Sequence, residues 1–128
     1  MYSIKPAFKD KRGSIADILE GEVVKHIGII TFSKGAVRGN HYHKISTQYT
    51  YVLDGKIKFE TRSTSKGSKV QSKILKAGDF ASIPQGVIHT YTALTKASLL
   101  DFTTLARTDN GYEKDTIRIG DIAKPKLQ

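Results

Sequence analysis

Two glycine-punctuated runs dominate this chain. The first reads Gly35-x5-His41-x-His43-x4-Gln48-x6-Gly55; after 22 residues the second reads Gly78-x5-Pro84-x-Gly86-x2-His89. His41 and His43 are two apart, so on an extended strand both side chains point to one face. Gln48 lies five further on, and that odd offset requires a turn or bulge within Lys44-Ile45-Ser46-Thr47. Alternation then resumes, with Gln48, Thr50 and Val52 on one face and Tyr49, Tyr51 and Leu53 on the other. Asp54-Gly55 is a turn signal. The Pro84-Gln85-Gly86 turn introduces a second strand that carries His89. Three imidazoles and one amide thus come from two separated stretches, which is enough to hold one divalent metal or to gather imidazoles at the bottom of a pocket. Neutral imidazole is the commonest side-chain ligand for such ions.

The rest of the pattern is also β. Residues 22–32 are β-branched and apolar, with Ile27, Ile29 and Thr31 opposite Gly28, Ile30 and Phe32. Lys56 to Arg62 alternates charged and apolar residues, a strand with one wet face, and Ser63 to Ser68 reads as a hairpin tip. Val70 to Leu75 and Phe80 to Ile83 are further strands. His89 to Leu94 and Ala97 to Leu105 read as a pair joined at Thr95-Lys96. Ser14 to Glu20 is expected to form a single helical turn. Residues 107–128 are polar and read as a late strand near Thr116 to Ile119 or a terminal extension. Many short strands at this spacing imply an all-β barrel or sandwich.

The two runs resemble the paired motifs of the cupin superfamily over residues 35–93. The resemblance implies a cupin-type double-stranded β-helix, a jelly-roll barrel, occupying residues 1–128 as a single domain. This chain departs from the usual pattern twice: Gln48 stands where Glu is usual and Ala93 where Asn is usual. A neutral amide removes one negative charge from the site and weakens hard-cation binding. Gln48 either coordinates through its carbonyl oxygen or orients His41 from behind. The string Arg38-Gly39-Asn40-His41-Tyr42-His43-Lys44 narrows the resemblance to cupins of nucleotide-linked sugars: deoxysugar 3,5-epimerases, 3,4-ketoisomerases with Gln at the place of Gln48, and capsule-sugar cupins with a zinc site. Asp10-Lys11-Arg12-Gly13 is similar to the opening motif of the same enzymes.

What the resemblance implies for function is an epimerase or isomerase acting on a small anionic substrate such as a nucleotide-linked keto-sugar. The metal ligands would be His41, His43, Gln48 and His89, and the ion Zn, Fe, Mn or Ni. In a metal-free version His41 is the base and Tyr91, which shares parity with His89, a proton donor. Arg38 and Lys44 are the substrate-binding candidates, because a guanidinium forks onto a diphosphate. A metal-dependent oxygenase or lyase, and a non-catalytic ligand-binding cupin, are the alternatives. Tyr42 faces away from the histidines and reads as packing, His26 as a structural histidine. Asp101, on a late apolar strand, either orients a histidine or faces water, since burying it unpaired is costly.

Composition limits the partners. The chain has 21 basic and 12 acidic residues among 128, a net charge of +9, which favours anionic ligands by long-range steering. No zinc-finger spacing or basic helix is present, so nucleic acid is a minor option. No apolar run reaches the ~18 residues of a membrane span. The start lacks a signal-peptide pattern and the chain has no cysteine, so a cytoplasmic protein is expected. A homodimer is expected through the face bearing Tyr49, Tyr51 and Leu53.

Overall fold

Alternation between buried and exposed positions organises the chain into two opposed antiparallel sheets. The computed structural model describes residues 3–119. Strands β1 (Phe8–Asp10) and β2 (Gly13–Ile15) form a small hairpin. The strands that follow are β3 (His26–Phe32), β4 (Val37–His43), β5 (Gln48–Asp54), β6 (Lys56–Arg62), β7 (Gln71–Lys76), β8 (Phe80–Ile83), β9 (Ile88–Ala93) and β10 (Ala97–Thr103). A 3-10 turn (Thr108–Asn110), a short helix α1 (Gly111–Asp115) and β11 (Thr116–Arg118) complete the described chain. One sheet runs β3-β10-β5-β8 and the other β11-β4-β9-β6-β7. This is the expected all-β jelly-roll barrel.

The inward residues form a gradient along the barrel. Val52, Ile57, Leu75 and Leu99 are fully buried and form an apolar plug toward one end, while Ala81 and Ile83 stand beside Thr50 and Gln48. Along β5 the inward positions run Gln48, Thr50, Val52; along β10 they run Leu99, Asp101, Thr103. Both strands therefore pass from apolar to polar in the same direction, and the buried polar residues collect at the other end. Gly55 makes the β5–β6 switch between sheets possible: its φ is 85°, and a side chain there would run into Lys96 and Ala97.

Three expectations are corrected. Residues Ser14 to Glu20 form no helical turn; Gly13–Ile15 pairs with Phe8–Asp10 instead. The Asp10 carboxylate accepts from the backbone and guanidinium of Arg12, which closes a hairpin, and a single isolated helical turn is too short to sustain itself. The β9 and β10 segments do not pair with each other. β9 lies between β4 and β6, whereas β10 lies between β3 and β5, so Thr95-Lys96 crosses from one sheet to the other. The strand expected in residues 22–32 starts only at His26. The late strand near Thr116 is present and pairs with β4, preceded by α1; residues 120–128 of the expected extension lie outside the described residues.

The outer face of the four-stranded sheet is apolar. Ile29, Leu100, Tyr51 and Phe80 stand in one row across it, and Ile27, Phe102 and Tyr49 in the next. Ile27 and Ile29 are about two-thirds exposed, and Tyr49 stacks on Phe80 at 5.9 Å. No helix among the described residues is long and apolar enough to cross a membrane.

Candidate functional site

The polar end of the barrel is built from a bulge. In β4 the ladder to β9 shifts register between Gly39 and His41, with Gly39 at φ 96° and Asn40 at φ 59°. A Cβ on Gly39 would sit 2.7 Å from the carbonyl oxygen of His89, so only glycine lets the two strands approach here. Beyond the bulge His41 stands directly opposite His89, and His43 follows on the same buried face. The ring centroids of His41 lie 4.9 Å from His43 and 4.7 Å from His89; His43 and His89 are 5.2 Å apart. Ligand nitrogens of the three rings all lie within 4.8 Å of one another.

The five-residue offset to Gln48 is resolved by Asp115, which pins the connection after β4. Its carboxylate accepts from the Ile45 amide (2.6 Å), the Ser46 hydroxyl (2.6 Å) and the Ser46 amide (3.4 Å). Gln48 then enters the cluster from the opposite sheet. Its carbonyl oxygen lies 2.9 Å from His43 Nε2, and its amide nitrogen donates to Asp101 Oδ1 (2.6 Å) and to the Tyr91 hydroxyl (3.4 Å). The Tyr91 hydroxyl also meets Thr50 Oγ1 at 2.5 Å. Asp101 is fully buried, with Oδ2 3.4 Å from Arg107 Nη2 and 3.9 Å from His26 Nδ1. Asp101 does not face water; its hydrogen-bond partners are Gln48 and Arg107 rather than a histidine. Gln48 contacts His43 rather than His41.

A cavity of about 100 Å³ opens above this floor, lined by Arg38, His41, Gln48, Tyr91, Arg107 and Tyr112 among others. Arg38 is half-buried, donates to the Thr31 carbonyl (3.1 Å) and lies 5.4 Å from the Phe32 ring centre. Lys44 is exposed just past β4 and is not part of the cavity lining. Tyr42 is half-buried on the opposite face of β4 from the histidines. Four site residues were missed from sequence: Arg107, Tyr112, Asp115 and Thr116. Tyr112 sets its ring 6.2 Å from His41 and 6.0 Å from His43, and Arg107 covers Tyr112 at 4.3 Å. The polar segment that carries them has no hydrophobic period, so nothing in it signalled an inward role.

Electrostatics make the imidazoles neutral. Burial, then the neighbouring His89, His43, Arg118 and Arg107, pulls His41 down to about 2. Burial likewise lowers His89, to about 4, partly opposed by the Val87 carbonyl 3.1 Å from its Nδ1. His43 is lowered by burial, against the raising pull of Gln48, Asp115 and Asp101. Burial raises Tyr91 and Tyr112, so both phenols keep their protons at neutral pH. Burial also raises Asp101, with Arg107 and Gln48 pulling back.

Whether these residues fit a divalent ion turns on free lone pairs. His41 Nδ1 and His89 Nε2 are buried and have no hydrogen-bond partner among the described residues. Together with His43 they fit as a three-nitrogen donor set, provided His43 exchanges Gln48 for the ion. No carboxylate joins the cluster among the described residues, so the set is neutral.

Comparison with known proteins follows the same lines. A dTDP-4-dehydrorhamnose 3,5-epimerase from Sulfolobus tokodaii superposes with a TM-score of 0.71 at 20% identity, covering 93% of this chain and 82% of that one. A sugar 3,4-ketoisomerase from Thermoanaerobacterium thermosaccharolyticum, in complex with TDP, gives 0.71 at 24% identity over 92% and 85%. A 3,4-ketoisomerase from Helicobacter canadensis gives 0.69 at 24% identity over 92% and 90%. A germin-like protein 5-1 from Oryza sativa subsp. japonica is 32% identical over 60 residues, 47% of this chain but only 26% of that protein. Residues 26–128 match the model of the family described as Cupin, which takes in both histidine strands, the Gln48 strand and the segment that covers them. The chain therefore belongs to the cupin family.

Proposed function

We propose that the chain epimerises or isomerises a keto-sugar linked to a nucleoside diphosphate, by moving a proton on a carbon next to the ketone. One observation carries this reading: a neutral imidazole, His41, lines a cavity beside a protonated phenol, Tyr112, with the guanidiniums of Arg38 and Arg107 at the same opening. The likeness in fold to epimerases and ketoisomerases of dTDP-sugars supports it. The cavity, about 100 Å³, is far below the ~300–1,000 Å³ of a whole-ligand pocket. It takes the reacting part of a sugar, and the diphosphate stays outside against Arg38 and Arg107, with Lys44 further out.

In the metal-free version a ring nitrogen of His41 accepts the proton from the carbon α to the ketone. The C–H electron pair moves into a carbon–carbon double bond and the carbonyl oxygen becomes an enolate. A phenol hydroxyl donates a hydrogen bond to that oxygen. Delivery of a proton to the opposite face of the same carbon, by a donor other than His41, inverts it; delivery to the former carbonyl carbon, with the neighbouring hydroxyl proton passing to the enolate oxygen, moves the ketone by one position. His41 is a weak base in the empty site chiefly because it is buried beside His89 and His43, with Arg118 and Arg107 adding a smaller repulsion that an incoming diphosphate offsets. Of the two phenols, Tyr91 already meets Thr50 and Gln48, which favours Tyr112 over Tyr91 as the donor. Bound at His41, His43 and His89, a divalent ion would polarise the same carbonyl and stabilise the enolate. His41 is then a ligand and cannot be the base.

The test is incubation with dTDP-4-keto-6-deoxyglucose in D2O, with and without a chelator, followed by NMR of the sugar protons. Deuterium is expected at one or both carbons flanking the ketone, with no loss on chelation. Chelator-sensitive exchange assigns the site to its metal version, and absence of exchange removes the reading.

We also propose that the chain pairs with a second copy through the apolar outer face of the four-stranded sheet. Light scattering is expected to give twice the 14.1 kDa chain mass, and Tyr51→Lys, at the middle of the row, to give the single mass. A wild-type chain that remains a monomer at tens of micromolar concentration would contradict the pairing.

A further inference from the structure

The Asp101 carboxylate lies deep on β10, does not line the cavity, and yet is fully buried within 2.6 Å of a residue that touches the imidazole cluster. We infer that Asp101 is the positioning residue of this site: it dictates which way the Gln48 amide faces, and through it which nitrogen of His43 carries the proton. On one edge the Asp101 carboxyl accepts from Arg107, while His26 lies near without a hydrogen bond. Arg107 Nη2 is 3.4 Å from Oδ2, and His26 Nδ1 is 3.9 Å from the same oxygen. An ionised carboxylate cannot donate, so the group facing its Oδ1 must be the NH2 end of Gln48. The Gln48 carbonyl is thereby turned toward His43 Nε2, 2.9 Å away, and can only accept. The 2.9 Å contact thereby holds the His43 proton on Nε2 against the more distant Asp115 Oδ2 (3.6 Å) and Thr116 Oγ1 (3.4 Å) at Nδ1. The second N–H of the same amide is turned to the Tyr91 hydroxyl, so one carboxylate sets the hydrogen bonds of two site residues.

This arrangement also explains why glutamine stands at position 48. A carboxylate there would face the Asp101 carboxylate at hydrogen-bond distance, a contact relieved only by an extra shared proton. Gln48 and Asp101 form a matched pair, one converting the acceptor character of the other into an acceptor for the ring. His43 in turn meets His41 edge-on at 4.9 Å, so a His43 ring that rotates or changes tautomer disturbs its neighbour. The inference holds whatever reaction the imidazoles perform.

The experiment uses the chelator-treated full chain with 15N-labelled histidine and long-range 1H–15N correlation spectra. Neutral His43 is expected as a single Nε2–H tautomer. Asp101→Ala is expected to mix the tautomers, and on the keto-sugar to lower kcat by about 10–100-fold with KM little changed. Gln48→Glu alone is expected to lose the single tautomer as well. The pair Gln48→Glu with Asp101→Asn is expected to restore it, because the new carboxylate accepts from the ring and from the new amide. Retention of the single Nε2–H tautomer in Asp101→Ala overturns the inference, and so does a double variant no better than Gln48→Glu. If Asp101→Ala does not fold, the double variant decides. The tautomer is read without substrate, so lack of turnover counts against the proposed reaction and not against this relay.

Discussion

His41→Asn is expected to slow solvent deuterium exchange into the keto-sugar by about 10²–10⁴-fold, the usual contribution of a general base. That corresponds to roughly 3–5 kcal/mol of barrier. Asparagine retains a polar group of similar reach on β4 but has no basic nitrogen. The ladder from His41 to His89 and to Arg118 uses backbone groups, so the strands keep their pairing. Initial rates by NMR and an unchanged far-UV spectrum check both halves of the expectation. A variant within threefold of wild type would remove His41 from the role. Chelator-treated protein must be used, because a ligand histidine and a base histidine give the same loss when metal is present.

Lowering the pH from 7.5 to 5.5 is expected to destabilise the chelator-treated chain by about 3 kcal/mol. Two histidines carry most of this. His41 is held down to about 2 and His89 to about 4, whereas both titrate near 6.5 once the chain unfolds. Below pH 6.5 the unfolded chain binds protons that the folded chain refuses, so stability rises with pH and falls on acidification. Each group contributes about 1.4 kcal/mol per pH unit in that range. The His89 loss levels off below about pH 4 and the His41 loss near pH 2. Asp101 works the other way, since burial raises its carboxyl, and its protonation on acidification offsets part of the loss. Urea midpoints across the range check this. A stability flat between pH 7.5 and 5.5 would show that the rings are not buried neutral, and His89→Asn is expected to remove about half of the slope.

The barrel and the imidazole cluster were legible because their signals are local. A period of two in Gln48 to Leu53 separates two faces, and it puts His41 and His43 on one face, but parity alone does not say which face turns inward. Which strands neighbour each other was not legible for β9 and β10: a two-residue link between two apolar runs reads as a hairpin, and only packing sends them to opposite sheets. The covering segment was missed for a related reason. Tyr112 and Asp115 lie in five residues of helix with no amphipathic repeat, and their roles come from contacts more than 60 residues away in the chain. Gln48 showed in the sequence as a departure from the usual glutamate, but its cause, the buried Asp101 carboxylate, lies on a strand of no motif.

The three-residue β11 has a consequence for how the polypeptide is made. It is the last described strand, and it pairs with the His41–His43 end of the β4 edge while α1 roofs the cavity. A nascent chain that has emerged only as far as Ala106 already contains both complete histidine strands, yet β4 would show seven residues of unpaired backbone on that side. Such an edge invites pairing with another chain. Docking of Thr116–Arg118 thus seals the His41–His43 part of that edge against pairing with another chain, as well as completing the roof over the imidazoles.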